Sequence, residues 1–315
     1  MIEVRELTKN YGPHKAVDRL SFSVKKGEVV GFLGPNGAGK TTTMKIITGF
    51  MPPSAGSVTV AGFDVFEDPI EVKKRIGYLP ETPPVYGEMT VESYLKFVAR
   101  LKGVEKSKLS AQVERAIEKT DLGSVRKRMI QNLSKGYRQR VGISQALVSE
   151  PEVLILDEPT VGLDPRQVAE VRKLIKDLAG HHTIILSTHI LPEVQATCER
   201  IIIINRGRIA AEDSLDGLSR RMSGSARVHV RVVDMKDSVV GDLRSTPGVQ
   251  GVVARGGGVI EIDTDGSKGI TPKLAERVVT AGCGLLELRE ERINLEDVFL
   301  KLTTSEENQN KGATL

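Results

Sequence analysis

Long apolar runs are missing from this chain. The longest, Val153–Leu156 and Ile201–Ile204, fall far short of the ~20 residues that a membrane-spanning helix needs. The chain is therefore expected to be soluble, or to be held at a membrane by a partner. Its beginning, MIEVRELTKNYG, has no basic segment followed by an apolar one, so no secretory leader is expected. Cysteine is scarce. Cys198 and Cys283 stand far apart and outside any CxxC pattern, which suggests a reduced cytosolic compartment. An excess of one charge is also missing: 45 Lys+Arg face 41 Asp+Glu, a net +4. Neither a basic stripe for nucleic acid nor an acidic tail follows from that balance. Tryptophan is absent, and no internal repeat is evident. Low complexity is confined to the polar end Ser305–Leu315, expected to be disordered.

What is present is a phosphate loop. Gly34-Pro-Asn-Gly-Ala-Gly-Lys-Thr41 fits G-x-x-x-x-G-K-[ST], followed by Thr42. The preceding residues 28–33 read as a buried strand and those from Thr42 to Thr48 as the start of a helix, the context that separates such a loop from a chance match. Glycines let successive backbone N–H groups turn toward an anion. The helix adds its positive N-terminal end. Lys40 can reach the β- and γ-phosphates, and the Thr41 hydroxyl can ligate Mg²⁺.

At 315 residues there is room for about two domains. Residues 2–8 and 16–24 read as strands on either side of a turn at Tyr11-Gly-Pro-His14, and residues 57–60 and 73–79 as further strands. Helical spacing of apolar residues marks 91–102 and 107–122. This helical stretch, about 82–150, reads as a lobe inserted into an α/β core. Residues 153–156 are almost wholly apolar, as a buried parallel strand is. An amphipathic helix over 164–179, a strand over 182–187, and a hairpin of 201–205 with 208–211 follow. A change of composition at 219–226 marks a linker. Beyond it the pattern strand, helix, strand, strand, helix, strand over 227–290 suggests a small ferredoxin-like domain, closed by a helix at Leu295–Leu302.

Two further stretches carry chemistry. Val153-Leu-Ile-Leu-Asp-Glu158 ends an apolar strand with two carboxylates. Beside a phosphate loop, Asp157 can hold Mg²⁺ through water and Glu158 can polarise an attacking water. Leu133-Ser-Lys-Gly-Tyr-Arg-Gln-Arg140 places Ser134 and Gly136 at the opening of a second helix, read as 137–148. Taken alone, it fits either a capped amphipathic helix or a second anion-binding helix start. One γ-phosphate does not need two such sites in one chain. A head-to-tail dimer does.

The ordered motifs GPNGAGKT at 34–41, LSKGYRQR at 133–140, LILDEP at 154–159, GLDP at 162–165 and STH at 187–189 together resemble an ATP-binding-cassette (ABC) ATPase over roughly residues 1–218. The resemblance implies a RecA-like α/β core with an antiparallel β subdomain and a helical lobe; the small α+β ferredoxin-like domain that the pattern suggests would occupy 227–304. It implies a homodimer that closes on two ATP molecules and opens after hydrolysis. Tyr11 resembles the aromatic that stacks on adenine. The phosphate loop Gly34, Pro35, Asn36, Gly37, Ala38, Gly39, Lys40, Thr41 and Thr42 binds the nucleotide. His189 resembles the switch histidine at the γ-phosphate, acting with Glu158 in catalysis. Ser134, Gly136 and Asp164 would act in trans, from the partner subunit. Thr41 and Asp157 would hold Mg²⁺. Glu81 replaces the usual Gln at the end of the strand before the helical lobe, where its carboxylate can still approach the metal but cannot donate a hydrogen bond when ionised. Lys135 and Tyr137 replace the commonest Gly and Gln. These variants, and the ending Asn294–Leu300, resemble the subfamily serving ABC-2-type exporters in drug, antibiotic and gliding-motility systems. That subfamily pairs with a separate polytopic permease, which would hold this chain at the inner face of the cell membrane. No direct nucleic-acid contact is expected. The alternative is a soluble ABC ATPase acting on ribosomes or nucleic acid.

Overall fold

The computed structural model describes residues 1–214, 217, 226–265, 267 and 269–292. Most of the expected linker at 219–226, the closing helix at 295–302, the exporter-like ending at 294–300 and the tail from 305 lie outside the described residues. The chain divides into two compact units, Met1–Ser214 and Leu215–Leu315.

In the first unit the fully apolar segments become central strands. β1 (Ile2–Tyr11) and β2 (His14–Val24) form a hairpin; β3 (Val29–Leu33) follows, buried along its whole length. Then come α1 (Lys40–Ile47), β4 (Ala55–Val60), β5 (Phe63–Asp64), α2 (Pro69–Arg75) and β6 (Ile76–Leu79). Later strands are β7 (Val153–Asp157), β8 (Thr183–Thr188), β9 (Arg200–Asn205) and β10 (Arg208–Ser214). A six-stranded sheet runs β10-β9-β3-β8-β7-β6. It is parallel except for β10, which pairs antiparallel with β9. Both faces of such a sheet are covered, so its strands read as continuous apolar runs. Register sets Leu33 beside Thr188 and Asp157 beside Ser187. The phosphate loop and both acidic residues therefore leave the same end of the sheet, where open α/β sheets bind ligands. The smaller antiparallel sheet, β2-β1-β4-β5, alternates buried and exposed residues along β2 and shares one core with the parallel sheet through Phe22, Phe32, Met44 and Val58.

The helical lobe comprises α3 (Val91–Leu101), α4 (Lys106–Lys119) and α5 (Lys135–Leu147). Thr90 and Ser134 cap α3 and α5 by accepting from Ser93 N–H and Tyr137 N–H. The lobe has its own core around Tyr94, Leu95, Val113, Ile117 and Val141. It is stitched to β6 and the end of α2. Gln145 donates to the Tyr78 carbonyl at 2.7 Å. Lys102 donates to the Lys73 and Ile76 carbonyls, each at 2.9 Å. A Cβ on Gly77 would stand 2.0 Å from the Ala146 carbonyl oxygen, so only glycine permits this approach.

Two short helices correct the sequence reading. Residues 73–79 are not one strand: Lys73–Arg75 finish α2, and β6 begins at Ile76. Pro69 sits in the first turn of α2, and Glu71 pairs with Lys74 and Arg75 at 2.7 Å, which supports one isolated helical turn more than a strand. Between β8 and β9, α7 (Leu191–Thr197) follows α6 (Pro165–Leu178). It packs so closely on β3 that a Cβ on Gly31 would stand 2.2 Å from Val194 Cγ1. The helix read as 137–148 begins two residues earlier, at Lys135.

The second unit is β11 (Ala226–Val232), α8 (Asp237–Arg244), β12 (Val249–Arg255), β13 (Val259–Thr264), α9 (Ile270–Thr280) and β14 (Leu285–Arg292), an antiparallel sheet of order β12-β13-β11-β14. This is the ferredoxin-like arrangement that the pattern indicates. Val230, Ile260, Leu243 and Leu274 lie in its core.

Candidate functional site: a phosphate-loop cavity and a separate serine-lined pocket

The loop from β3 to α1 is shaped by contacts behind it. A Cβ on Gly34 would stand 2.4 Å from the Ile204 carbonyl oxygen, and one on Gly39 2.5 Å from that of Ala16. Gly37 and Gly39 hold φ of 80° and 103°, conformations that glycine adopts freely. Gly34 N–H donates to the Thr188 carbonyl at 3.3 Å, tying the loop to the end of β8. Lys40 folds back over the loop and donates to the carbonyls of Gly34 (2.8 Å) and Pro35 (3.3 Å).

A cavity of about 580 Å³ opens in front of this loop. Asn36, Gly37, Gly39, Lys40, Thr41 and Thr42 of the loop and the start of α1 line it. Tyr11, Glu81, Glu158 and His189 line it as well. Gly34, Pro35 and Ala38 do not line the cavity. His14, Ala16 and Val161 line it too and are additions to the sequence reading. The β1–β2 pairing of Tyr11 with His14 brings His14 there, a signal available only once the hairpin is known.

The acidic end of β7 is buried. Ser187 donates to Asp157 Oδ1 at 2.7 Å, while Oδ2 is buried without a hydrogen-bond partner. Burial pushes the Asp157 carboxyl above the ordinary aspartate range; Ser187 and Thr41 beside it act in the opposite sense. An orphaned carboxylate oxygen next to a threonine hydroxyl fits a hard divalent cation, which takes oxygen donors. Glu158 is only 5% exposed and holds φ of 50°, a left-handed conformation uncommon for a non-glycine residue. Its N–H donates to the Ser187 carbonyl at 2.8 Å. Its carboxylate lies 3.3 Å from the Lys40 ammonium and 3.0 Å from His189 Nδ1. A cation, a carboxylate and an imidazole thus converge at the cavity wall.

Ser134, Gly136 and Asp164 do not join them. They line a different cavity, of about 390 Å³, together with Tyr137, Arg140 and Gln167, and the two cavities share no residue. Ser134 and Asp164 each cap a helix, α5 and α6, so both side-chain oxygens accept locally. Gly136 lies flat against Gln167, 2.6 Å from where a Cβ would stand. Arg140 bridges Asp121 at 3.0 Å and Glu170, fixing α5 to α6.

A parallel sheet with a strand–phosphate loop–helix unit and an acidic strand end beside it defines a P-loop nucleoside triphosphatase. Residues 17–161 match the family model described as ABC transporter. The chain is 34% identical to the bacitracin transport ATP-binding protein BcrA of Bacillus licheniformis over 96% of this chain and 97% of that protein. It is 33% identical to the linearmycin resistance ATP-binding protein LnrL of Bacillus subtilis, covering 96% and 98%. A solved ATP-binding subunit of an ABC transporter superposes with a TM-score of 0.64 at 31% identity, covering 70% of this chain and 92% of that one. The chain belongs to the ABC transporter ATP-binding family, and its activity is that of an ATPase.

Proposed function

We propose that this chain is the ATP-hydrolysing subunit of an exporter whose membrane-spanning part is a separate polytopic permease of the ABC-2 type, and that it works as a homodimer. The observation that carries the reading is the division of the family motifs between two cavities without a common residue. Each cavity is half of a site. Closure of two copies head to tail would bring Ser134, Gly136 and Asp164 of one onto the nucleotide held by the other.

Within the nucleotide half-site, Tyr11 stacks on the base. The loop N–H groups and Lys40 hold the phosphates. Thr41 and Asp157, with Glu81 nearby, would hold Mg²⁺, which when bound neutralises charge on the β- and γ-phosphates. Glu158 polarises the attacking water and His189 contacts the γ-phosphate. As the nucleotide arrives, Lys40 exchanges its own loop carbonyls for phosphate oxygens. That exchange also frees Glu158 from its ion pair. Export is supported by the names of relatives, which include a bacitracin transport protein and linearmycin and daunorubicin resistance proteins.

No helix among the described residues is long and apolar enough to cross a membrane. The permease would dock on the helical lobe near residues 81–94 and hold the chain at the cytoplasmic face. Tyr86 is 57% exposed there and packs edge-on against Tyr94 and Phe97, with ring centroids 6.1 and 5.7 Å away. An exposed tyrosine held in place by a buried Tyr94 and a half-buried Phe97 suits contact with a protein partner.

The test is Glu158→Gln. Loss of the base should cut turnover about 100-fold or more with ATP binding retained, and the variant should accumulate as an ATP-bound dimer in size-exclusion chromatography. Undiminished turnover would remove Glu158 from this role. Affinity purification of the same variant from membranes should recover a polytopic permease; recovery of ribosomes or DNA would overturn the exporter reading.

A further inference from the structure

One buried acid lies outside the nucleotide cavity and takes no part in the scheme above. Glu193, in α7, is 2% exposed. No lysine or arginine among the described residues pairs with it. Its two carboxylate oxygens accept from two different segments: Oε1 from the Thr160 hydroxyl and Oε2 from the Thr188 hydroxyl, the latter at 2.9 Å. Both threonines are buried. An unpaired carboxylate is costly to bury unless hydrogen bonds satisfy it, and a helix packing on a sheet needs only apolar residues at such a position. The carboxylate is therefore explained by what it joins.

Thr160 stands two residues after Glu158, on the segment that continues to Asp164. Thr188 immediately precedes His189. Thr188 Oγ1 also accepts the Ile190 N–H at 3.1 Å, so the backbone is pinned on both sides of His189. His189 Nδ1 in turn meets the Glu158 carboxylate at 3.0 Å. The contacts close a ring: Glu158, Thr160, Glu193, Thr188, His189 and back to Glu158.

We propose that Glu193 is a positioning residue for ATP hydrolysis, clamping Thr160 and Thr188 so that His189 and Glu158 are held in one geometry. It acts through His189 and touches neither nucleotide nor water. The inference rests on the role given to His189 above. A misplacement of about 1 Å in such a pair costs up to about 100-fold in rate, while the phosphate loop that supplies affinity is untouched.

The test is a double-mutant cycle on the rate of ATP hydrolysis by the full chain, with ATP affinity measured in parallel. Glu193→Gln keeps the volume but turns one acceptor into a donor. It should lower kcat about tenfold or more with KM changed less than about twofold, and this loss should vanish in a His189→Ala background. Equal losses in both backgrounds would overturn the proposal while leaving His189 its role. An unchanged rate in His189→Ala alone would overturn both. Should Glu193→Gln not fold, Thr160→Val removes one donor of the clamp and enters the same cycle: a loss that vanishes with His189→Ala supports the clamp, and an additive one overturns it.

Discussion

Lys40 shows how a loop can satisfy the cation that it presents to phosphates. Its ammonium donates to two carbonyls of its own loop and pairs with Glu158. The cation is thus kept satisfied in a nearly buried place, as a buried charge must be. Lys40→Ala removes the group that would meet the phosphates, and we expect ATP affinity to fall about tenfold or more, a change of about 1.4 kcal/mol, by isothermal titration calorimetry. A different residue predicts a pH effect. His182 Nδ1 lies 2.7 Å from the Pro151 carbonyl. A carbonyl can only accept, so the proton sits on Nδ1, and Nε2 is left buried without a partner. Burial pushes the imidazole below the ordinary histidine value, with Lys119 and His181 adding to the effect against the Pro151 hydrogen bond. The folded state thus binds this proton less readily than the unfolded one. The contribution is fully present above the unfolded value of about 6.5 and is lost as pH falls through the folded one. The thermal midpoint of the wild type should therefore drop more between pH 7.5 and 5.5 than that of His182→Gln, which cannot titrate. Equal drops would contradict this.

At the level of elements, the junction of β6 with α5 carries the helical lobe. Gly77→Ala drives a methyl group into the Ala146 carbonyl, 2.0 Å away, and against Leu154. We expect a loss of about 1–3 kcal/mol, read by chemical denaturation, with turnover falling as the lobe shifts. The same junction marks where the sequence is hard to read. The phosphate loop, the acidic end of β7 and the serine cap of α5 were legible because phosphate chemistry and helix capping dictate residue types at fixed spacing. The second unit was legible because its strands and helices each run long enough to show their period. By contrast α2 and α7 span seven residues each, less than two full turns, so no period develops. Lys73–Arg75 precede an apolar strand directly and merge with it in the pattern. Glu193 was invisible for a related reason: in sequence it is one acid on a short helix, and only the approach of the ends of β7 and β8 gives it two hydroxyls to hold.

For the whole molecule, the division of the site has a consequence that no single variant tests. Lys40→Ala should disable the phosphate-loop half and Ser134→Arg the other half, since an arginine there would lose the cap of α5 and obstruct the second cavity. Each variant alone should then be inactive in both sites of its dimer. Mixed and exchanged, the two chains form heterodimers. One site of each heterodimer combines both lesions; the other combines the intact loop of the Ser134→Arg chain with the intact serine of the Lys40→Ala chain. Random pairing makes about half of all dimers mixed, each with one of two sites whole, so activity up to about a quarter of the wild type should return. A site complete within one chain would give none. The quantity to measure is ATP hydrolysis as a function of mixing ratio: a maximum near equal amounts supports shared sites, and a flat line at the level of the separate variants refutes them.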